Sequence, residues 1–127
     1  MAGARHFTEL IVWQLGDQHR AEIFTLTKRQ PLRADLKLRS QLDDAADSVC
    51  RNVAEGFGCQ SHREFARFLR ISRRSLNEVQ DELRSAVLKE YVTEDELASV
   101  RRLQRRLYAA IAALLRHLDG GRDGVSR

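Results

Sequence analysis

A single proline, Pro31, interrupts 127 residues, and glycine-rich sequence occurs only at the C-terminus. A chain with so few breakers can hold long helices. Its dominant residues, Leu, Ala, Arg and Glu, are strong helix formers, whereas Val and Ile are few. The spacing of apolar residues predicts four helices. The first covers about 9–28, with Leu10, Trp13, Ile23, Phe24 and Leu26 as its apolar positions, and Pro31 stops its continuation. The second covers about 32–56, where Leu38, Leu42, Ala45, Val49 and Val53 form one stripe.

The stretch Asp47-Ser-Val-Cys-Arg-Asn-Val-Ala-Glu-Gly-Phe-Gly58 ends that second helix. Gly56 or Gly58 is expected to take the left-handed conformation that caps a C-terminus. Ser61-His-Arg-Glu64 then reads as a capping box opening a third helix, about 62–89. A second box, Thr93-Glu-Asp-Glu96, opens a fourth, about 94–118, whose stripe is Leu97, Val100, Leu103, Leu107, Ile111, Leu114 and Leu118. Residues 1–8 are expected to be a flexible N-terminus and 119–127 a disordered tail. Four helices with short connections predict an all-α, up-down four-helix bundle over residues 9–118.

Composition bounds the chemistry. A net charge of +4 permits an anionic partner without demanding one. Two cysteines, Cys50 and Cys59, are too few for a disulfide framework and are expected as free thiols in a reducing compartment, which points to the cytoplasm. No run reaches the length of a membrane span, and Met-Ala-Gly-Ala-Arg-His lacks an apolar signal core. Cys59-x-x-His62 has no matching second pair for zinc, and no Glu-x-x-His occurs. No nucleophile elbow, Walker loop or dinucleotide fingerprint is present. The expectation is a protein that is not an enzyme, without cofactor or metal.

Three stretches carry a resemblance to a known family. Leu10-Ile-Val-Trp-Gln14 with Ile23-Phe-Thr-Leu-Thr27 is one, Ser48-Val-Cys-Arg-Asn-Val-Ala-Glu-Gly56 is the second, and Glu64-Phe-Ala-Arg-Phe-Leu-Arg-Ile-Ser72 with Ser75-Leu-Asn-Glu78 is the third. Together they resemble the bacterial four-helix-bundle family first described as proteins encoded in intervening sequences of large-subunit ribosomal RNA genes. The resemblance covers roughly residues 7–118. It implies a symmetric ring, typically a homopentamer. It also implies similarity to the accessory protein of diversity-generating retroelements, a basic pentameric barrel that binds nucleic acid and a reverse transcriptase. The chain departs from the pattern twice. Cys50 stands where the family usually has proline, and Asp43 and Asp44 stand where it often has basic residues.

Arg63, Arg67, Arg70 and Arg74 are the sharpest local feature. Their spacing of four, three and four keeps them in one strip opposite Phe65, Phe68, Leu69, Ser72, Leu76, Val79 and Leu83. Four aligned guanidiniums can follow a phosphate backbone of RNA or DNA. The plainer reading is a solvated face or intersubunit ion pairs. Arg101, Arg102, Arg105 and Arg106 follow an acidic first turn, which suits the helix dipole. Trp13, Phe24, Phe65, Phe68 and Tyr108 fall on apolar stripes, so base stacking is not expected. Asn52, Glu55 and Gly56 form a structural motif in which Glu55 needs a specific partner and Gly56 supplies backbone freedom. Leu15, Ala109, Ala112 and Ala113 are candidates for a second, subunit-facing surface. Two functions stay open: a nucleic-acid-binding accessory module, or an assembly or adaptor protein that binds a protein partner.

Overall fold

Helix-forming sequence bounded by polar caps yields α1 (Ile11–Thr27), α2 (Leu36–Phe57), α3 (His62–Leu88) and α4 (Ala98–Ser126) in a computed structural model. The structure describes residues 3–126, with side chains described for 3–120. Among the described residues there is no strand, and each helix packs against two neighbours around an up-down four-helix bundle. α2 lies between α1 and α3, and α4 closes the square between α3 and α1, so α2 and α4 occupy opposite corners.

The caps largely follow the sequence. Ser61 Oγ accepts from Glu64 N at 3.1 Å, although Glu64 turns its carboxylate to Arg67 rather than back to Ser61. Thr93 and Glu96 form the full reciprocal box, at 2.9 and 3.2 Å, ahead of a 3-10 turn (Asp95–Leu97) that runs into α4. The second helix starts later than expected. A 3-10 turn, Leu32–Ala34, follows Pro31, and α2 begins after Asp35, whose carboxylate accepts from Leu38 N at 3.1 Å. The same carboxylate accepts from Lys89 Nζ at 3.0 Å and Tyr91 Oη at 2.9 Å, which ties the start of α2 to the end of α3.

The N-terminal end of the chain also differs from the sequence reading. Ala4 and Phe7 pack against the core, and Phe7–Glu9 forms a 3-10 turn with the Phe7 ring 5.4 Å from Trp13. Burial of Phe7 therefore orders part of the segment expected to be flexible; Met1 and Ala2 lie outside the described residues. At the other end α4 runs from Ala98 to Ser126. Glycine weakens a helix but keeps its N–H, so Gly120 does not break the backbone ladder. Arg127 lies outside the described residues.

The core divides in two. One cluster joins Leu10, Val12 and Leu15 to Val53, Leu69 and Ile111; the other joins Ile23 and Leu26 to Leu42, Val79, Leu83 and Leu97. Between them lies a polar layer drawn from all four helices. Ser48 and Ser75 share a 2.7 Å bond, Ser72 Oγ donates to Val49 O at 2.8 Å, and Gln104 Nε2 lies 3.3 Å from His19 Nε2. His19 Nδ1 and Gln104 Oε1 are both buried without a partner among the described residues.

Burial without a countercharge pushes His19 down to about 4 from 6.5. Above pH 6.5 the ring is neutral folded and unfolded, and its contribution to stability is fully present. As pH falls from 6.5 toward 4, the unfolded chain takes up a proton that the folded one refuses, so stability declines. The loss reaches on the order of 3 kcal/mol. Denaturant unfolding across that range is expected to show the native chain losing stability relative to H19L/Q104L, because the contributions of other titrating groups, Glu82 among them, are common to both proteins. Parallel pH profiles for the two proteins would refute it.

Candidate nucleic-acid interface

α3 buries Phe65, Ala66, Leu69, Ser72, Leu76, Val79 and Leu83. With 100° per residue, that choice of core face turns Arg63, Arg67, Arg70 and Arg74 outward, and all four are exposed. They extend over about 16 Å of helix at 1.5 Å per residue. Arg67 bonds Glu64 at 3.2 Å and lies 4.6 Å from the centre of the Phe68 ring. Arg70 reaches Asp119 on α4 at 3.2 Å. Arg63 and Arg74 have no hydrogen bond or ion pair among the described residues. Exposed pairs of this kind contribute roughly 0–1 kcal/mol, so a phosphate can displace Glu64 or Asp119 at small cost.

The outer surface of α3 then changes sign. Glu78, Asp81 and Glu82 follow Arg74, and a cleft of about 360 Å³ opens between α2 and α3, lined by Gln41, Asp44, Ser48, Arg51, Glu78 and Glu82. Glu82 Oε1 is shielded from solvent and has no partner among the described residues. Burial, with Glu78, Asp81 and Asp44 adding to it, pushes the Glu82 carboxyl up to about 7. The two aspartates that stand where the resemblance has basic residues therefore behave differently. Asp43 accepts from Thr27 Oγ1 at 2.7 Å and braces α2 against α1, whereas Asp44 opens into the acidic cleft.

Neither glycine of the Gly56–Gly58 stretch is left-handed. Gly56 is buried inside α2, and Gly58 is the C-cap with φ −75°. A Cβ on Gly56 would stand 2.7 Å from Phe65 Cδ1 and 2.9 Å from Phe68 Cβ. Gly56 is thus required by the approach of α3, not by backbone freedom. The left-handed residue at a helix end is instead Glu90, with φ 62°, just beyond α3. Asn52 donates to Ser48 O and Oγ at 2.9 and 3.0 Å and belongs to the polar layer. Glu55 is exposed and its carboxylate has no partner among the described residues, so the expected bond is not made within the chain.

Other sequence candidates also find their places. Leu15 is part of the core and is not subunit-facing, whereas Ala109 and Ala113 are exposed and Ala112 is half-buried. Cys50 is buried, its thiol pushed up to about 12 chiefly by burial, and its Sγ lies 3.1 Å from where a Cβ on Gly16 of α1 would stand. α2 passes through Cys50 as uninterrupted helix, as a residue with a backbone N–H allows. His62 and His117 have ring centroids 6.4 Å apart, and no group of three His, Cys, Asp or Glu among the described residues is placed to hold a metal. Among the described residues no helix is long and apolar enough to cross a membrane. Sequence spacing missed the ion-pair network of Arg20, Asp17, Asp47 and Arg51, which joins α1 to α2 at 2.8–2.9 Å.

Residues 8–113 match a family model described as 23S rRNA-intervening sequence protein. The match takes in α1, α2, α3 and the N-terminal half of α4, to residue 113. A comparison with curated proteins finds no match.

The Gly56 geometry fixes the sign of a substitution. Alanine inside a helix ordinarily gains about 0.5–1 kcal/mol over glycine. Here the new Cβ meets the root of Phe68 and a buried ring, and overpacking of that kind costs about 1–3 kcal/mol. G56A is expected to lower the melting temperature; an unchanged or raised value would show that α3 yields freely.

Proposed function

The chain belongs to the 23S rRNA-intervening sequence protein family, and from that premise we propose that it acts as a non-enzymatic, self-assembling bundle that contacts the phosphate backbone of nucleic acid. The observation that carries this reading is the alignment of Arg63, Arg67, Arg70 and Arg74 on one exposed face, two of them without a partner and two in displaceable surface pairs. Guanidinium offers phosphate two parallel N–H donors, so a row of four follows a strand by charge and geometry. Assembly into a ring, five-fold by the resemblance, multiplies the row and raises avidity. The free thiols of Cys50 and Cys59 fit a cytoplasmic setting.

Recognition on this reading goes to the backbone and not to the bases. Trp13, Phe24, Phe68 and Tyr108 are half-buried and Phe65 is buried, so none offers a free ring beside the arginines for stacking; Phe68 already lies under Arg67. Binding is therefore tolerant of sequence and sensitive to salt. A second reading, an adaptor for a protein partner, draws on the exposed Ile11, Leu36 and Leu88 and on the acidic cleft, which repels phosphate.

Duplex RNA or DNA titrated at several salt concentrations separates the two. The native chain is expected to bind with affinity that falls steeply with salt. R67E/R70E is expected to reduce the log–log salt slope by about 2 and to weaken binding at least tenfold. Unchanged binding by R67E/R70E would remove the arginine row from the interface. A clean protein ultraviolet spectrum with a stoichiometric co-purified protein would favour the adaptor.

A further inference from the structure

The outer face of α4 combines two residue types in one strip. Ala98, Arg102, Arg105, Ala109, Ala113 and Arg116 fall within about 80° at 100° per residue. All six are exposed. Arg101, just off the strip, is held by Glu94 at 3.2 Å. Arg102, Arg105 and Arg116 have no hydrogen bond or ion pair among the described residues. The alanines leave the helix backbone open to close approach, and the arginines project from either side of them. No neighbouring helix of the same chain covers this face, because α4 touches α1 and α3 through its other sides.

The α2–α3 cleft has the opposite character. Asp44, Glu78 and Glu82 converge on it, and Glu82 Oε1 is shielded and unpaired. Arg51 also lines the cleft, but its guanidinium is bonded to Asp47 at 2.9 Å. Among the described residues, the carboxylates thus have no ion pair with a cation of their own chain. The α4 arginines cannot supply one within the molecule, since α2 and α4 stand at opposite corners of the bundle.

We infer that the outer face of α4 docks on the α2–α3 cleft of a second copy of this chain, with Arg102 and Arg105 facing Asp44, Glu78 and Glu82. This inference rests on the self-assembly part of the proposed function and gives it an interface. Charge complementarity selects the partner: a free cationic face and a cation-deficient cleft occur on the same molecule. A neighbouring guanidinium would supply the donor that Glu82 Oε1 lacks and hold its carboxyl ionised. Donor and acceptor are different surfaces, so the contact is head-to-tail. Each docked pair leaves one face and one cleft unused, and only a closed ring consumes both. The contact does not employ Arg63, Arg67 or Arg70, which precede the cleft along α3.

Nuclease-treated full-length protein, weighed by light scattering over a concentration series, tests this directly. The native chain is expected to be a multimer that dissociates as salt is raised. R102E/R105E and E78K/E82K are each expected to fall to monomer at the same concentration, with native helicity by circular dichroism. Their equimolar mixture is expected to rise above monomer mass as alternating assemblies, because each variant's face is complementary only to the other variant's cleft. The milder R102Q/R105Q and E78Q/E82Q serve if either reversal unfolds the bundle; each is expected to raise the dissociation constant at least tenfold. A native multimer whose mass neither reversal nor neutral variant alters would overturn this interface and leave self-assembly standing. A native monomer at every concentration would remove both.

Discussion

The approach of α3 to α2 at Gly56 governs the rest of the molecule. These two helices form the most extensively packed pair in the bundle, joined through a turn of only a few residues. At the turn the helices are so close that one methyl group does not fit between Gly56 and the Phe65 and Phe68 side chains. That closeness sets the rotation of α3 about its own axis. With Phe65 and Leu69 pressed into the core, the arginine row must point outward, and Glu78 and Glu82 must border α2. A wider separation would leave the same residues on α3 but would not fix which surface they present.

The polar layer fixes the other coordinate, the position of each helix along the bundle axis. Two apolar clusters of similar chemistry would tolerate sliding of one helix past another. Ser48 with Ser75, Ser72 with the Val49 carbonyl, and His19 with Gln104 do not, because a slip would bury each group without its partner. The layer itself is incomplete, with one nitrogen of His19 and one oxygen of Gln104 unpaired. Each such atom costs roughly 1–3 kcal/mol. The molecule thus gives up stability at its waist where it gains registry, and the loss falls on the side of the layer formed by α1 and α4.

Periodicity disclosed the helices, because it is information each helix carries within itself. Leu38, Leu42, Val49 and Val53 are core in the structure as in the pattern, and Ser61 and Thr93 cap where their sequence context says. What spacing could not disclose were relations between helices. Asp43 with Thr27, Asp35 with Lys89 and Tyr91, and Arg20 with Asp47 join residues 16, 54, 56 and 27 positions apart. Gly56 is instructive for another reason. A glycine needed for a left-handed turn and a glycine needed for close packing look identical in a sequence; only the position of Phe65 and Phe68 tells them apart. Conversely, the left-handed residue is a glutamate, Glu90, which no turn signal marks. The arginine row was legible as a row, but its limit at Glu78 and the cleft beyond it required knowing that α2 brings Asp44 to the same place.

That limit bears on how a mildly basic protein can serve two kinds of contact at once. A net charge of +4 spread evenly would attract nucleic acid weakly and would oppose the meeting of two copies everywhere. Segregation changes the balance. Among the described residues, the N-terminal half of α3 and the outer face of α4 hold most of the unpaired arginines, and the middle of the α2–α3 surface gathers three unpaired carboxylates, Asp44, Glu78 and Glu82. If the α4 arginines are taken up by a neighbour's carboxylates, the assembled surface keeps the α3 row as its concentrated positive field. Docking of that kind would neutralise charge where subunits meet and leave the α3 row uncompensated. The two aspartates that seem to count against anion binding fit that division: Asp43 braces a helix pair, and Asp44 lies in the cleft and not in the row.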